Sequence, residues 1–298
     1  MHALLPTQVI PSRPALQPVR RLAPLAVPAR QVLAGVVRRA SACATLDEAL
    51  IAARQMADVN MSATLARLGG VAEPPRIVAQ EALAALEALA GLVRPAVLSL
   101  RPTALAHDTD LIGSILLRAH ELALPVHFDS QGPDTAPAVL ACAQASHSMH
   151  KQLGVTLPGR WLRSRADADM ACEIGLRVRV VKGQWADPLC PQFDERAGFL
   201  SVVNRLAGKA PFVSVATHDA ALARAALKRL CDAGTACELE LNHGAAQQAA
   251  VQVARSLGVP VRVYVAYGQT GGAAGVSGGQ QIWWGVRSAS STQASTGV

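Results

Sequence analysis

Ser62-Ala-Thr-Leu-Ala-Arg-Leu68 decides the architecture. It either continues the helix before it or alternates as a strand that stops at Gly69-Gly70. Upstream, Thr45-Leu-Asp-Glu48 has capping-box spacing and opens an apolar-periodic helix to about Asp58. Downstream, a helix from about Pro75 to Leu92 leads into short β-rich runs separated by helical stretches. The runs are Ala96–Arg101, Val126–Asp129, Val155–Leu157, Arg177–Lys182, Phe212–His218, Cys237–Leu241 and Val261–Val265. Strands alternating with helices argue for a parallel sheet. Counting Ser62 to Leu68 as a strand makes eight, the number that closes a (β/α)8 barrel. An open doubly wound sheet is the alternative, but no Gly-rich dinucleotide fingerprint follows an early strand.

The 298 residues suit one large α/β domain. With 51% apolar and 16% charged residues and a mean hydropathy of +0.25, the chain can fill a substantial core. The formal charge of +7 is concentrated at one end. No acidic residue precedes Asp47, whereas Arg13, Arg20, Arg21, Arg30, Arg38 and Arg39 all do. This is not a globally basic nucleic-acid surface, and no nucleic-acid partner is expected. Residues 1–40, rich in Pro and Arg, read as a loose arm, and six prolines before residue 30 argue against an amphipathic presequence helix there. The six cysteines form no C-x-x-C pair, a pattern expected of reduced core thiols in a cytoplasmic protein. No apolar run is long enough to cross a bilayer, so any membrane association is expected to be peripheral.

Arg101, Asp129, Lys182, His218 and Tyr264 are each placed at the C-terminal end of a strand. In (β/α)8 enzymes that rim gathers the chemistry, although strand ends also meet solvent and are polar for that reason alone. Lys182 at such an end also admits a Schiff-base lyase. Of the eight histidines, only His147-Ser-Met-His150 has ligand-like spacing, and it lacks further ligands for zinc. The histidines are therefore expected at the surface, with no metal site.

Val178-Arg-Val-Val-Lys-Gly-Gln-Trp185 resembles the V-R-L-V-K-G-A-Y signature of the proline dehydrogenase family. Val215-Ala-Thr-His-Asp219 is similar to that family's A-T-H-D strand, and Val261-Arg-Val-Tyr-Val-Ala-Tyr-Gly268 to its V-R-V-Y-V-P-Y-G strand. Weaker matches are Ser99-Leu-Arg-Pro-Thr-Ala-Leu105 and Phe128-Asp129. The resemblance runs from about Ala57 to Gly268, and three motifs in order are fairly specific. It implies a distorted (β/α)8 TIM-like barrel with N-terminal helices over 41–268, and it makes Ser62 to Leu68 the first strand. It further implies FAD, hydride transfer from L-proline to flavin N5, formation of 1-pyrroline-5-carboxylate, and a quinone-type electron acceptor. By the same resemblance Arg179, Lys182, Gly183, Trp185, Thr217 and His218 attend the cofactor, while Arg101, Asp129 and Tyr264 attend the substrate.

The departures from that family are specific. Arg101 replaces a lysine, and its planar fork reaches a carboxylate differently. Trp185 replaces a tyrosine, and Pro158 stands where a flavin-contacting glutamine is expected. Family members follow the last strand with a Y-x-x-R-R helix whose paired arginines hold the proline carboxylate. Here Gln269 to Arg287 is a glycine-rich run without tandem arginines, part of a divergent tail over 269–298. Two further readings follow: oxidation of a modified or carrier-bound cyclic amine that lacks a free carboxylate, and a non-catalytic barrel.

Overall fold

The computed structural model describes residues 42–69, 73–245 and 247–268. The expected arm (1–40) and glycine-rich tail (269–298) lie outside them. A helix α1 (Leu46–Asp58) precedes β1 (Ser62–Arg67), so the segment with two readings is a strand. There follow α2 (Pro75–Ala90), β2 (Ala96–Leu100), a 3-10 turn at Pro102–Leu105, α3 (Thr109–Glu121), β3 (Val126–Phe128) and α4 (Ala136–Ser146). The second half comprises β4 (Leu153–Pro158), α5 (Ser164–Ile174), β5 (Arg177–Val181), α6 (Glu195–Leu206), β6 (Val213–Ala216), α7 (Ala220–Asp232), β7 (Cys237–Asn242), α8 (Gln248–Ser256) and β8 (Val261–Tyr267). All neighbouring strands are parallel and the sheet closes in chain order, β1 pairing with β8 from Ser62↔Arg262 to Arg67↔Tyr267. This is a closed (β/α)8 TIM-like barrel.

Local chemistry sets the helix starts. Thr45 Oγ1 accepts the Glu48 amide at 3.2 Å, and the Glu48 carboxylate accepts the Ala44 amide at 2.7 Å, a variant of the expected capping box. Asp108, Asp194 and Asp219 cap α3, α6 and α7 with their side chains. The α1 helix packs on both β1 and β8 and covers the seam where the barrel closes. At the start of α6, a Cβ on Gly198 would lie 1.9 Å from the Gly159 carbonyl oxygen, so only glycine lets α6 approach the loop after β4 this closely.

The strands divide into two faces. Leu65, Leu98, Phe128, Val155, Val178, Val180, Val215, Leu239, Leu241, Val263 and Val265 are buried in one cluster with helix residues such as Leu86, Ile115, Phe199 and Leu227. Each fully buried aliphatic side chain contributes roughly 1.5–3 kcal/mol, so this shell is what drives the barrel together. The alternate strand residues, among them Thr64, Ser99, His127, Thr156, Arg179, Ser214, Glu238, Glu240 and Arg262, are polar and also buried. Ion pairs and hydrogen bonds between strands that are not neighbours in the sheet place them in the lumen.

Two expectations are corrected here. The cysteines are unpaired, but they are not all core thiols: Cys43, Cys142, Cys172 and Cys237 pack half-buried against the core, Cys190 is half-buried outside it and Cys231 is exposed. The histidines are not uniformly at the surface, because His127, His147 and His150 are buried. His127 projects from β3 among Arg177, Arg179 and Arg262, and burial followed by these cations holds it neutral, far below the usual imidazole range. His150, in the turn before β4, packs edge-on against His120 with ring centroids 6.2 Å apart. Burial first, then His120, His147 and Arg177, push His150 down to about 4 from its ordinary 6.5.

Between those two values the unfolded chain binds more protons than the folded one. The contribution of neutral His150 to stability is therefore full above about pH 6.5 and declines as pH falls toward about 4. The urea midpoint of the wild type is expected to be lower near pH 5 than near pH 7, with a smaller difference in His150→Asn. An equal difference in the variant would show that other groups carry the acid sensitivity.

Candidate active site

Arg179 leaves the middle of β5 and enters the lumen, where only 2% of it is exposed. Its Nη2 donates to Asp129 Oδ1 at 2.9 Å and to Ser99 Oγ at 3.1 Å, and its Nε donates to Thr156 Oγ1 at 3.0 Å. Its Nη1 lies 3.7 Å from Glu240 Oε1, an ion pair beyond hydrogen-bonding reach. The guanidinium carbon stands 5.0 Å from the centroid of the Tyr264 ring. Asp129 follows β3 directly, and both its oxygens are engaged, one by Ser99 Oγ and the other by Thr156 Oγ1 as well as Arg179. Residues from β2, β3, β4, β5, β7 and β8 thus converge on one buried cation.

The electrostatics follow from that enclosure. Burial opposes the Arg179 cation, but Asp129 and then Glu240 outweigh it and raise its pKa, so the charge is permanent. Burial pushes the Glu240 carboxyl up against the pull of Arg179, which favours its neutral acid. Burial, followed by the Asp129 charge, pushes the Tyr264 phenol up and keeps it protonated. Toward the N-terminal end of the strands, Arg262 Nε donates to Glu238 Oε1 at 2.7 Å, and Ser214 Oγ donates to the same oxygen at 2.6 Å. Arg262 Nη1 also caps the carbonyls of Ala63 and Pro95, closing that end with a second satisfied pair.

Asp129, Arg179 and Tyr264 are therefore brought together, and the other sequence-selected residues lie around them. Arg101, just past β2, donates to the Arg67 carbonyl at 3.2 Å and lines a cleft of about 250 Å3 with Arg67, Glu73, Thr103, Gln131 and Tyr267. Lys182, just past β5, stands 3.8 Å from Asp219 and 4.0 Å from Glu195, forming a rim of ion pairs with Arg196 and Arg160. Gly183 adopts φ +99°, and a Cβ there would lie 2.8 Å from Pro158 Cβ, so the backbone passes tightly over the end of β4. Trp185 is half-exposed, and its carbonyl accepts the indole N–H of buried Trp161. Thr217 Oγ1 accepts the Asp219 amide, and His218 Nε2 accepts the Asn242 amide at 3.1 Å, fastening β6 to β7.

One placement needs correcting. Tyr264 is not at the end of its strand, because β8 continues to Tyr267, and its ring lies inside the lumen rather than on the rim. Ser99, Thr156 and Glu240 were not selected from sequence. Their signal was available: buried parallel strands normally read as continuous apolar runs, whereas Cys237-Glu-Leu-Glu-Leu241, Arg177-Val-Arg-Val180 and Val261-Arg-Val-Tyr264 alternate. Such alternation in a barrel marks a polar lumen.

No protein-family model and no curated protein matches this sequence. Among solved structures, the chain is similar to proline utilization A from Bdellovibrio bacteriovorus, a protein inactivated in that structure by N-propargylglycine. The identity is 14% and the TM-score 0.67, over 77% of this chain and 30% of that one. A variant of proline utilization A from Bradyrhizobium japonicum gives 18% identity and a TM-score of 0.63 over 74% and 28%. The Corynebacterium freiburgense protein gives 14% and 0.61 over 77% and 29%. This chain thus spans less than a third of the length of these proteins. At such identities the likeness is one of fold.

Asp129→Ala leaves the Arg179 cation buried without its main partner and is expected to cost about 3–5 kcal/mol of stability. Lys182→Met, on the hydrated rim, is expected to cost less than about 1 kcal/mol. Urea denaturation of the two variants measures both, and equal effects would contradict the assignment of Asp129 as the keystone.

Proposed function

We propose that this barrel is a flavin-dependent oxidoreductase of the proline dehydrogenase type, with FAD as cofactor and L-proline oxidised to 1-pyrroline-5-carboxylate. The observation that carries the reading is the permanent Arg179 cation, fixed by Asp129, Ser99 and Thr156 beneath the C-terminal strand ends in a proline dehydrogenase-like fold.

The residues present fit a flavin. Arg179 keeps one guanidinium nitrogen out of hydrogen-bonding reach of its protein partners, and a fixed cation favours a group that gains negative charge on reduction. Gly183, with no room for a Cβ, presents backbone at the end of β5, and Thr217 and His218 add polar groups past β6. Pro158 supplies no N–H, so any hydrogen bond there comes from another residue. When bound, FAD supplies a hydride acceptor at N5.

The chain's own residues hold the substrate and its charges. Arg101, at the C-terminal rim, offers a guanidinium fork to a carboxylate. The Tyr264 ring gives a small saturated ring an apolar wall, and its protonated phenol remains a hydrogen-bond donor. Asp129 keeps Arg179 in place and leaves proton transfer to others, both its oxygens being already engaged. A quinone-type electron acceptor and peripheral membrane contact belong to the same proposal. Among the described residues no helix is long and apolar enough to cross a membrane.

A second reading, oxidation of a cyclic amine without a free carboxylate, is favoured by the lack of tandem arginines between Gln269 and Arg287. The visible spectrum of FAD-reconstituted protein under anaerobic conditions separates the two. Bleaching of the flavin band by L-proline is the expected result. Bleaching by prolinamide but not by L-proline would establish the second reading, and folded protein that retains no flavin would overturn both.

A further inference from the structure

The α7 helix ends at Asp232, and β7 begins at Cys237 after a turn over residues 233–236. The turn is closed by two backbone hydrogen bonds, Thr235 N–H to the Leu230 carbonyl at 2.9 Å and Gly234 N–H to the Cys231 carbonyl at 3.0 Å. Thr235 Oγ1 also accepts the Gly208 amide at 2.7 Å, tying the turn to the segment after α6. This geometry carries Cys231, on the last turn of α7, to Cys237, the first residue of β7, with their sulfurs 3.9 Å apart. Cys231 is exposed and Cys237 half-buried, and both are unpaired. The pair sits at the N-terminal ends of the strands, opposite the rim that carries Lys182 and Arg101, and so stands apart from the candidate active site.

We propose that Cys231 and Cys237 form a thiol–disulfide exchange site that reacts with low-molecular-weight disulfides and closes an intramolecular bridge. The Cys231 thiolate attacks one sulfur of the small disulfide, whose S–S bond breaks and releases one small thiol. Cys237 then attacks Cys231 Sγ, breaking the mixed bond, forming the Cys231–Cys237 bond and releasing the second small thiol. Two electrons and two protons pass from the protein dithiol to the small disulfide, which leaves as two thiols.

Exposure sets the order of attack, because incoming disulfide reaches Cys231 and not the half-buried Cys237. Thiolate character supports the same order. Burial, then the Cys231 charge, pushes the Cys237 thiol up to about 12, making it a poor first nucleophile. Once Cys231 is held in a mixed disulfide it carries no charge, and that second restraint on Cys237 disappears.

The test treats the full chain with oxidised glutathione and follows intact mass and the peptide map. The wild type is expected to lose two hydrogens and yield one linked species joining the peptides of Cys231 and Cys237, reversed by dithiothreitol. Cys237→Ser is expected to accumulate a stable glutathione adduct on Cys231, and Cys231→Ser to show at least a tenfold slower reaction at position 237. A wild type that accumulates the stable adduct, stays unmodified, or links other cysteines would overturn the proposal. The wild-type map decides the matter even where a variant fails to fold.

Discussion

The Arg179 guanidinium, enclosed by Asp129, Ser99, Thr156 and Glu240, is the interaction on which the rest of the barrel depends. Moving an isolated ion into a dry interior costs several kcal/mol, recovered only when its partners are close and hydrogen-bonded. Thr156 stands beside Arg179 on the neighbouring strand, whereas Ser99, Asp129 and Glu240 come from strands that do not pair with β5, so the full set assembles only when the sheet curls around the lumen. Burial raises the Glu240 pKa against the pull of Arg179, whose Nη1 stands 3.7 Å away.

This polar lumen sits inside an apolar shell, and one alternating pattern produces both. On β7 and β8, leucine and valine face the helices while Glu238, Glu240, Arg262 and Tyr264 face inward. The shell supplies the driving force for folding, and the lumen supplies one arrangement in which Arg179 meets Asp129 and Arg262 meets Glu238. Slipping a strand by one residue would expose the shell and bury the wrong charges. The same constraint thus sets the register of the sheet and delivers Asp129, Arg179 and Tyr264 to one place.

The rhythm of strands was legible because valine, leucine and isoleucine cluster between helical stretches. Ser62 to Leu68 was not settled by periodicity, since a run of small and mixed residues fits either reading. Its pairing with β8, which no local pattern encodes, makes it a strand. Ala266 interrupts the β-branched run that marks β8, so the sequence pattern ends two residues before the strand does at Tyr267 and puts Tyr264 near the rim. The roles of Thr156 and Glu240 depend on which strands become neighbours or face each other, as does the Arg179–Ser99 bond between residues 80 apart in the chain, and no local pattern encodes that. The burial of His127, His147 and His150 and the approach of Cys231 to Cys237 are likewise products of chain closure. The paired-arginine question lies beyond residue 268, outside the described part of the chain.

The central claim is that the buried Arg179 cation is the electrostatic centre of a flavin site. The midpoint potential of bound FAD in the wild type and in Arg179→Gln, which keeps a hydrogen-bond donor but removes the charge, tests this most directly. The account predicts a lower potential in the variant, because the reduced flavin loses its stabilising cation. An unchanged or higher potential with FAD still bound would show that Arg179 serves the barrel alone and not the cofactor.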